Sequence, residues 1–332
     1  MGGGASGFRL LFTKGPPMIP IPIRHLLACL GLCLLGLAGA RAEEFSGRLT
    51  FVTATPVMTS TATNQATVYF TPYKGHTLTV YDSTTSDFEP TTFTELSQAL
   101  TDATHSPAAA AASKNYDLFV WNNGGTLVLS RGPAWTSDTV RSSALALVDG
   151  IYVNNVAITN GPAAQEGTYV GTIMTNASSK CDFNLGSLAA GGGAATIGVW
   201  NYYNRRQYTA IVANSDSSWT YSVNAWRAAD NSTTNRVTYV TGANEDGASA
   251  VYYSFMGTSF FGGFAVDLDS TTAPPPGQMF SAGVWGPSGI MTQTGLGKHY
   301  LQAVEIGNTS GSVFEGADAF GSHSQLQAQS WF

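Results

Sequence analysis

Between Val199 and Val240 the chain reads VWNYYNRRQYTAIVANSDSSWTYSVNAWRAADNSTTNRVTYV. Apolar and polar residues alternate through Tyr208–Val212, Thr220–Trp226 and Arg236–Val240, with polar turn clusters between them. A period of two built from β-branched and aromatic residues fits half-buried antiparallel strands and cannot present one apolar face as a helix. The same stretch holds Trp200, Trp219 and Trp226, three of the seven tryptophans.

The pattern continues on both sides. Leu49–Thr53, Thr67–Thr71, Thr77–Tyr81, Tyr116–Trp121, Thr126–Ser130, Gly150–Ile158, Thr168–Thr175, Ala250–Met256, Gly263–Leu268 and His299–Ile306 each read as a strand. Asn122-Asn123-Gly124-Gly125 predicts a hairpin, because these residues accept positive φ. Many short strands at close spacing imply an all-β fold, an antiparallel β-sandwich or jelly roll. One short helix is expected over 91–103. Thr92 and Glu95 have the spacing of a capping box, and Phe93, Leu96 and Leu100 share a helical face. The stretch 160–167 reads as a domain boundary or a long turn. It divides the expectation into a β-rich domain over 43–160 and an aromatic-rich β-sandwich domain over 165–332.

Residues 1–42 read differently. Within 18–42, Arg24 and His25 precede an apolar run from Leu26 to Ala38, and Ala40-Arg41-Ala42 has small residues where a signal peptidase cuts. The run is shorter than the roughly 20 residues of a membrane span. The expectation is an N-terminal extension and signal peptide, a secreted or cell-surface mature chain, and no stable membrane span after cleavage. Cleavage would remove Cys29 and Cys33 and leave Cys181, so no internal disulfide or four-ligand structural zinc could form. Packing or self-association must supply the stability.

Charged residues are only 11% of the chain, and the formal net charge is −6. The first 42 residues carry four cations and no acid, so the remainder is more acidic still. No basic block survives, which argues against a nucleic-acid partner.

Motifs for catalysis are missing: there is no Gly-x-Ser-x-Gly elbow, no phosphate loop and no His-Glu-x-x-His. No catalytic residue, metal ligand or cofactor is expected. Asp267 and Asp269 could offer oxygens to calcium or cap a turn, the turn being the simpler reading. Glu245-Asp246-Gly247 reads as a turn. Trp200, Tyr202, Tyr203, Trp219 and Trp226 could form a platform that stacks sugars, although core packing is the default for rings of that size.

Segments in order along the chain add a resemblance. They are Gly47-Arg-Leu-Thr50, Pro56-Val-Met58, Tyr69-Phe-Thr-Pro-Tyr73, Phe93-Thr-Glu-Leu96, Asn115-Tyr-Asp-Leu-Phe119, Gly132-Pro-Ala-Trp135, Trp219-Thr-Tyr221, Leu268-Asp-Ser-Thr-Thr272 and His299-Tyr-Leu301. Together they resemble a family of phage- and prophage-encoded virion proteins, associated with tail fibres or appendages. The resemblance implies a β-rich structural or receptor-facing virion part with no catalytic residues to carry over, and makes a virion the alternative location; the expectation is a non-catalytic β-structural protein. A secreted carbohydrate-binding module for cell-surface glycan is the competing reading, with a glycan hydrolase behind it.

Overall fold

A computed structural model describes residues 44–332 apart from 189–192, 215, 258–261, 275–284, 294, 319–320 and 323. The expected extension and signal peptide lie outside the described residues. Among the described residues no helix is long and apolar enough to cross a membrane.

The chain is all-β, and its centre is a sandwich. One seven-stranded sheet sets Gly247–Met256 beside Gln325–Trp331, and Gln325–Trp331 beside Gln207–Ala213. The other sets Gly297–Ile306 between Arg236–Thr241 and Gly263–Leu268. Alternate residues of Gln207–Ala213, Gly247–Met256 and Gln325–Trp331 point inward, so Tyr208, Tyr252 and Leu326 of the first sheet share one core with Phe183, Tyr239 and Phe264 of the second. Tyr252 stands edge-on to Phe264, with ring centroids 5.8 Å apart, and Phe183 does the same to Tyr208 at 5.3 Å. Each such ring removes about 150–250 Å² from water, worth roughly 4–6 kcal/mol as an upper figure. The period-two pattern marks this core at Tyr208–Val212 and Arg236–Val240 but not through Thr220–Trp226, where Ser218–Tyr221 and Trp226–Ala228 are separate strands and Val223 is exposed.

A six-stranded sheet adjoins the sandwich. The hairpin expected at Asn122–Gly125 is present: Asn115–Asn123 pairs with Thr126–Arg131 through Gly124 and Gly125, both at positive φ. Of the two readings of 160–167, the structure shows the long turn. It joins Ile151–Asn154 to Thr168–Met174 within this sheet, and the Asn154 side chain closes it by donating to Ala163 O and accepting from Gly167 N. Thr168–Met174 also pairs with Asn115–Asn123 on one side and Val199–Asn201 on the other. One sheet thus spans the expected boundary, and Glu43–Phe332 clusters as one compact unit.

The helix expected over 91–103 is absent, and this expectation is corrected. Asp87–Thr92 and Leu96–Ala99 are strands, the latter paired with Thr67–Phe70. Glu95 does not cap a helix. Its carboxylate accepts from Thr53 Oγ1, Ala54 N and Thr71 Oγ1, all distant in sequence. Phe93 packs on Phe70 at 5.1 Å. Tertiary partners outweigh a weak local signal here. The only helical element among the described residues is a single 3-10 turn, Ala229–Asn231.

Residues 195–201 tie the two regions together. Ala195–Ile197 runs parallel to Val237–Tyr239 in the sandwich, and after Gly198 the strand Val199–Asn201 joins the six-stranded sheet. Gly198 allows this change of sheet, because a Cβ there would meet Asp182 O at 2.6 Å. The crossing brings Trp200, Tyr202 and Tyr203 to the seam.

Candidate functional site

The seam carries a cleft of about 530 Å³. Three segments build it. Ile151–Asn154 buries Ile151 and Val153 and, by alternation, turns Tyr152 toward the cleft. Val199–Asn201 delivers Tyr202 just beyond its end. The turn after Arg236–Thr241, which leads into Gly247–Met256, supplies Asn244 and Glu245. Tyr152 and Tyr202 are both half-buried and meet edge-on, with ring centroids 5.2 Å apart. Fully buried Tyr169 lies behind Tyr202 at 5.7 Å.

Charge at the cleft is held in fixed pairs. Arg141 donates to both carboxylate oxygens of buried Asp117 at 2.8 and 3.0 Å and to Gly242 O at 2.7 Å. Burial works against the guanidinium charge, but Asp117 outweighs it and holds the Arg141 pKa above its ordinary value. Thr172 Oγ1 donates to the same carboxylate at 2.7 Å. Close by, Arg205 donates to Asp246 at 2.8 and 2.9 Å and to Glu245 at 2.8 Å. Burial first, then the nearby Glu245 carboxylate, raises the Tyr202 phenol above its usual range. Tyr202 is therefore a neutral hydroxyl at physiological pH.

The five aromatic residues singled out from the sequence part company. Trp200, Tyr202 and Tyr203 come together, with Trp200 and Tyr202 centroids 6.0 Å apart and Tyr202 and Tyr203 4.8 Å apart. Within that trio Trp200 is fully buried and donates from Nε1 to Asp246 Oδ2 at 3.0 Å, a core role. Tyr203 stacks flat on Phe45 at 4.0 Å. Trp219 lies elsewhere, stacked on Phe314 at 5.8 Å and donating to Glu305 Oε2 at 2.6 Å. Glu305 is fully buried, and burial raises its pKa against the pull of Trp219 and Arg227. Trp226, half-buried, sits opposite Ile306 on an outer strand of the second sandwich sheet. The five do not make one platform. Tyr152, Arg141 and Glu245 were missed, because their convergence depends on sheet order, which strand periodicity does not encode.

Other groups with chemical potential are tied into the fold. Cys181 is buried, and burial pushes its thiol well above the ordinary range. Asp267 caps Ala273 N, and Asp269 accepts from Tyr300 N and faces His299 Nδ1 at 2.6 Å, the arrangement of a capped turn.

No family model and no curated protein matches this chain. Among solved structures it is similar to the crystal structures of BuGH86, wild type and a Glu-to-Gln variant, in complex with neoagarooctaose. The identities are 8% and 9%, and the TM-score is 0.22 for each. The match covers 80% of this chain and 32% of those chains, so this chain spans about a third of their length. At that score the likeness carries no argument about function.

Proposed function

We propose that the protein is a non-catalytic, exported or virion-borne β-structural protein that binds a saccharide of surface glycan in the cleft lined by Tyr152 and Tyr202. The observation that carries this reading is the pair of half-buried tyrosines along one cleft, flanked by Asn244, Glu245 and Arg141. An aromatic face takes the C–H face of a sugar, and amide and charged groups at its rim take the hydroxyls. The ion pairs favour binding over turnover. Glu245 and Asp246 both serve Arg205, and Asp117 serves Arg141, so these carboxylates are occupied as positioning groups.

Affinity electrophoresis of the mature chain through gels containing bacterial surface polysaccharides tests the proposal. Retardation is expected, and Tyr152→Ala and Tyr202→Ala should each weaken it about tenfold, the scale of one lost aromatic contact. Both residues are half-buried, so thermal midpoints recorded alongside separate lost binding from lost fold. Equal retardation of wild type and variants would remove the cleft from the proposal. New reducing ends, abolished by replacing one carboxylate, would show an enzyme instead.

A further inference from the structure

Past Glu245 the cleft opens onto further ground. A hollow of about 420 Å³ is lined by Arg205, Glu245, Asp246 and Trp331. A third, of about 490 Å³, runs from Trp331 over Gln207, Gln329, Gln293 and Met291. The first and second share Glu245, and the second and third share Trp331. The three adjoin end to end.

The far end is the outer face of the first sandwich sheet. In register across four strands stand Thr209, Gln329, Ser249 and Met291, and beside that row Gln207 stands opposite Trp331. Further along the same face come Gln327 and Val251, then Gln325 and Tyr253. None of these side chains is charged at neutral pH, although the chain carries 21 acids and 15 bases. Gln207 Nε2 donates to Gln329 Oε1 at 3.4 Å and Gln329 Nε2 to Thr209 Oγ1 at 3.1 Å, so the amides are oriented while keeping other donors and acceptors toward solvent. Trp331 is 47% exposed and Met291 90% exposed. An anionic or cationic partner would gain nothing on such a face. A polymer of hydroxyl groups without charge would be matched by amides and by the indole.

We propose that the trough holds a neutral linear polysaccharide over several sugar units, with Trp331 as the stacking point between the tyrosine cleft and the glutamine face. This inference rests on the saccharide reading of the cleft and deepens it by naming the ligand as the interior of a neutral chain.

Calorimetric titration with cello-, manno- and galacto-oligosaccharides of two and of six units tests it. At least one six-unit series should bind more tightly than its two-unit counterpart. Trp331→Ala should weaken the six-unit ligand about tenfold and leave the two-unit ligand unchanged. Gln329→Ala, which removes an amide from the exposed face, should also weaken the six-unit ligand and spare the two-unit one, and it serves as a second variant with thermal midpoints as the control for folding. Equal affinity for both lengths, unaffected by Trp331→Ala, would overturn the extended trough and leave the cleft standing. No binding in any series would overturn both. A sedimentation shift from dimer to monomer in Trp331→Ala, with affinity unchanged, would assign the face to a second copy of the chain and overturn the inference.

Discussion

His299 shows how far a single side chain departs from what its residue type suggests. In sequence it is one of a few scattered histidines with no ligand spacing. In the structure its side chain is 7% exposed, with Nδ1 facing Asp269 Oδ2 at 2.6 Å and Nε2 facing Gly295 O at 2.9 Å. Both ring nitrogens meet acceptors, so the doubly protonated imidazolium satisfies both. Burial opposes the charge, but Asp269 and the carbonyls outweigh it and raise the pKa. A raised folded-state value means stability that is fully present below the unfolded histidine value of about 6.5 and is lost as pH rises through the folded one. The thermal midpoint should therefore fall as pH rises above about 6.5, and His299→Gln should flatten that slope. Asp230 acts in a lower window. Burial and the neighbouring Asp216 raise it to about 6, so its contribution declines between the ordinary aspartate range and that value. An unchanged slope above neutrality in His299→Gln would show that the imidazole is neutral. Trp200 teaches the same point from the other side. Core packing is the default for a ring of its size and it is indeed buried, whereas its partner Asp246 was legible only as part of a turn.

At the scale of elements, local pattern was enough to place many strands and the Asn-Gly hairpin, because period two and positive-φ residues are local signals, but it passed over Cys181–Asn184, Trp285–Gln293 and the central Gln325–Trp331. Local signals also misled. Residues 91–103 offer a helical face and a cap, yet Glu95 is claimed by Thr53, Ala54 and Thr71, and Leu96–Ala99 by an adjacent strand. The joint between sheets was not legible either, since it depends on two backbones approaching closely. Gly171 marks that approach: it sits at φ +154 at a shift in register, and a Cβ there would meet Trp200 O at 2.2 Å. Gly171→Ala should push Val199–Asn201 away and destabilise the protein by about 1–3 kcal/mol, the usual cost of overpacking. Chemical denaturation reads this directly. A midpoint equal to wild type would mean that the two strands are not held so closely.

At the scale of the molecule, the seam between the sandwich and the six-stranded sheet is where function is proposed. It gathers Tyr152 from one strand, Tyr202 from the end of another and Glu245 from a turn between sheets. Strand patterning pointed to a β protein, and the aromatic stretch contained Tyr202, one of the residues that line the cleft. The remaining lining comes from residues far apart in sequence, so only the pairing order reveals it. Hydrogen–deuterium exchange with and without the most strongly retained oligosaccharide tests this placement most directly. Slower exchange is expected in peptides covering 144–154, 200–206 and 241–246, with no change over 218–228. Protection centred on Trp219 and Trp226, or none near Tyr152 and Tyr202, would contradict the account.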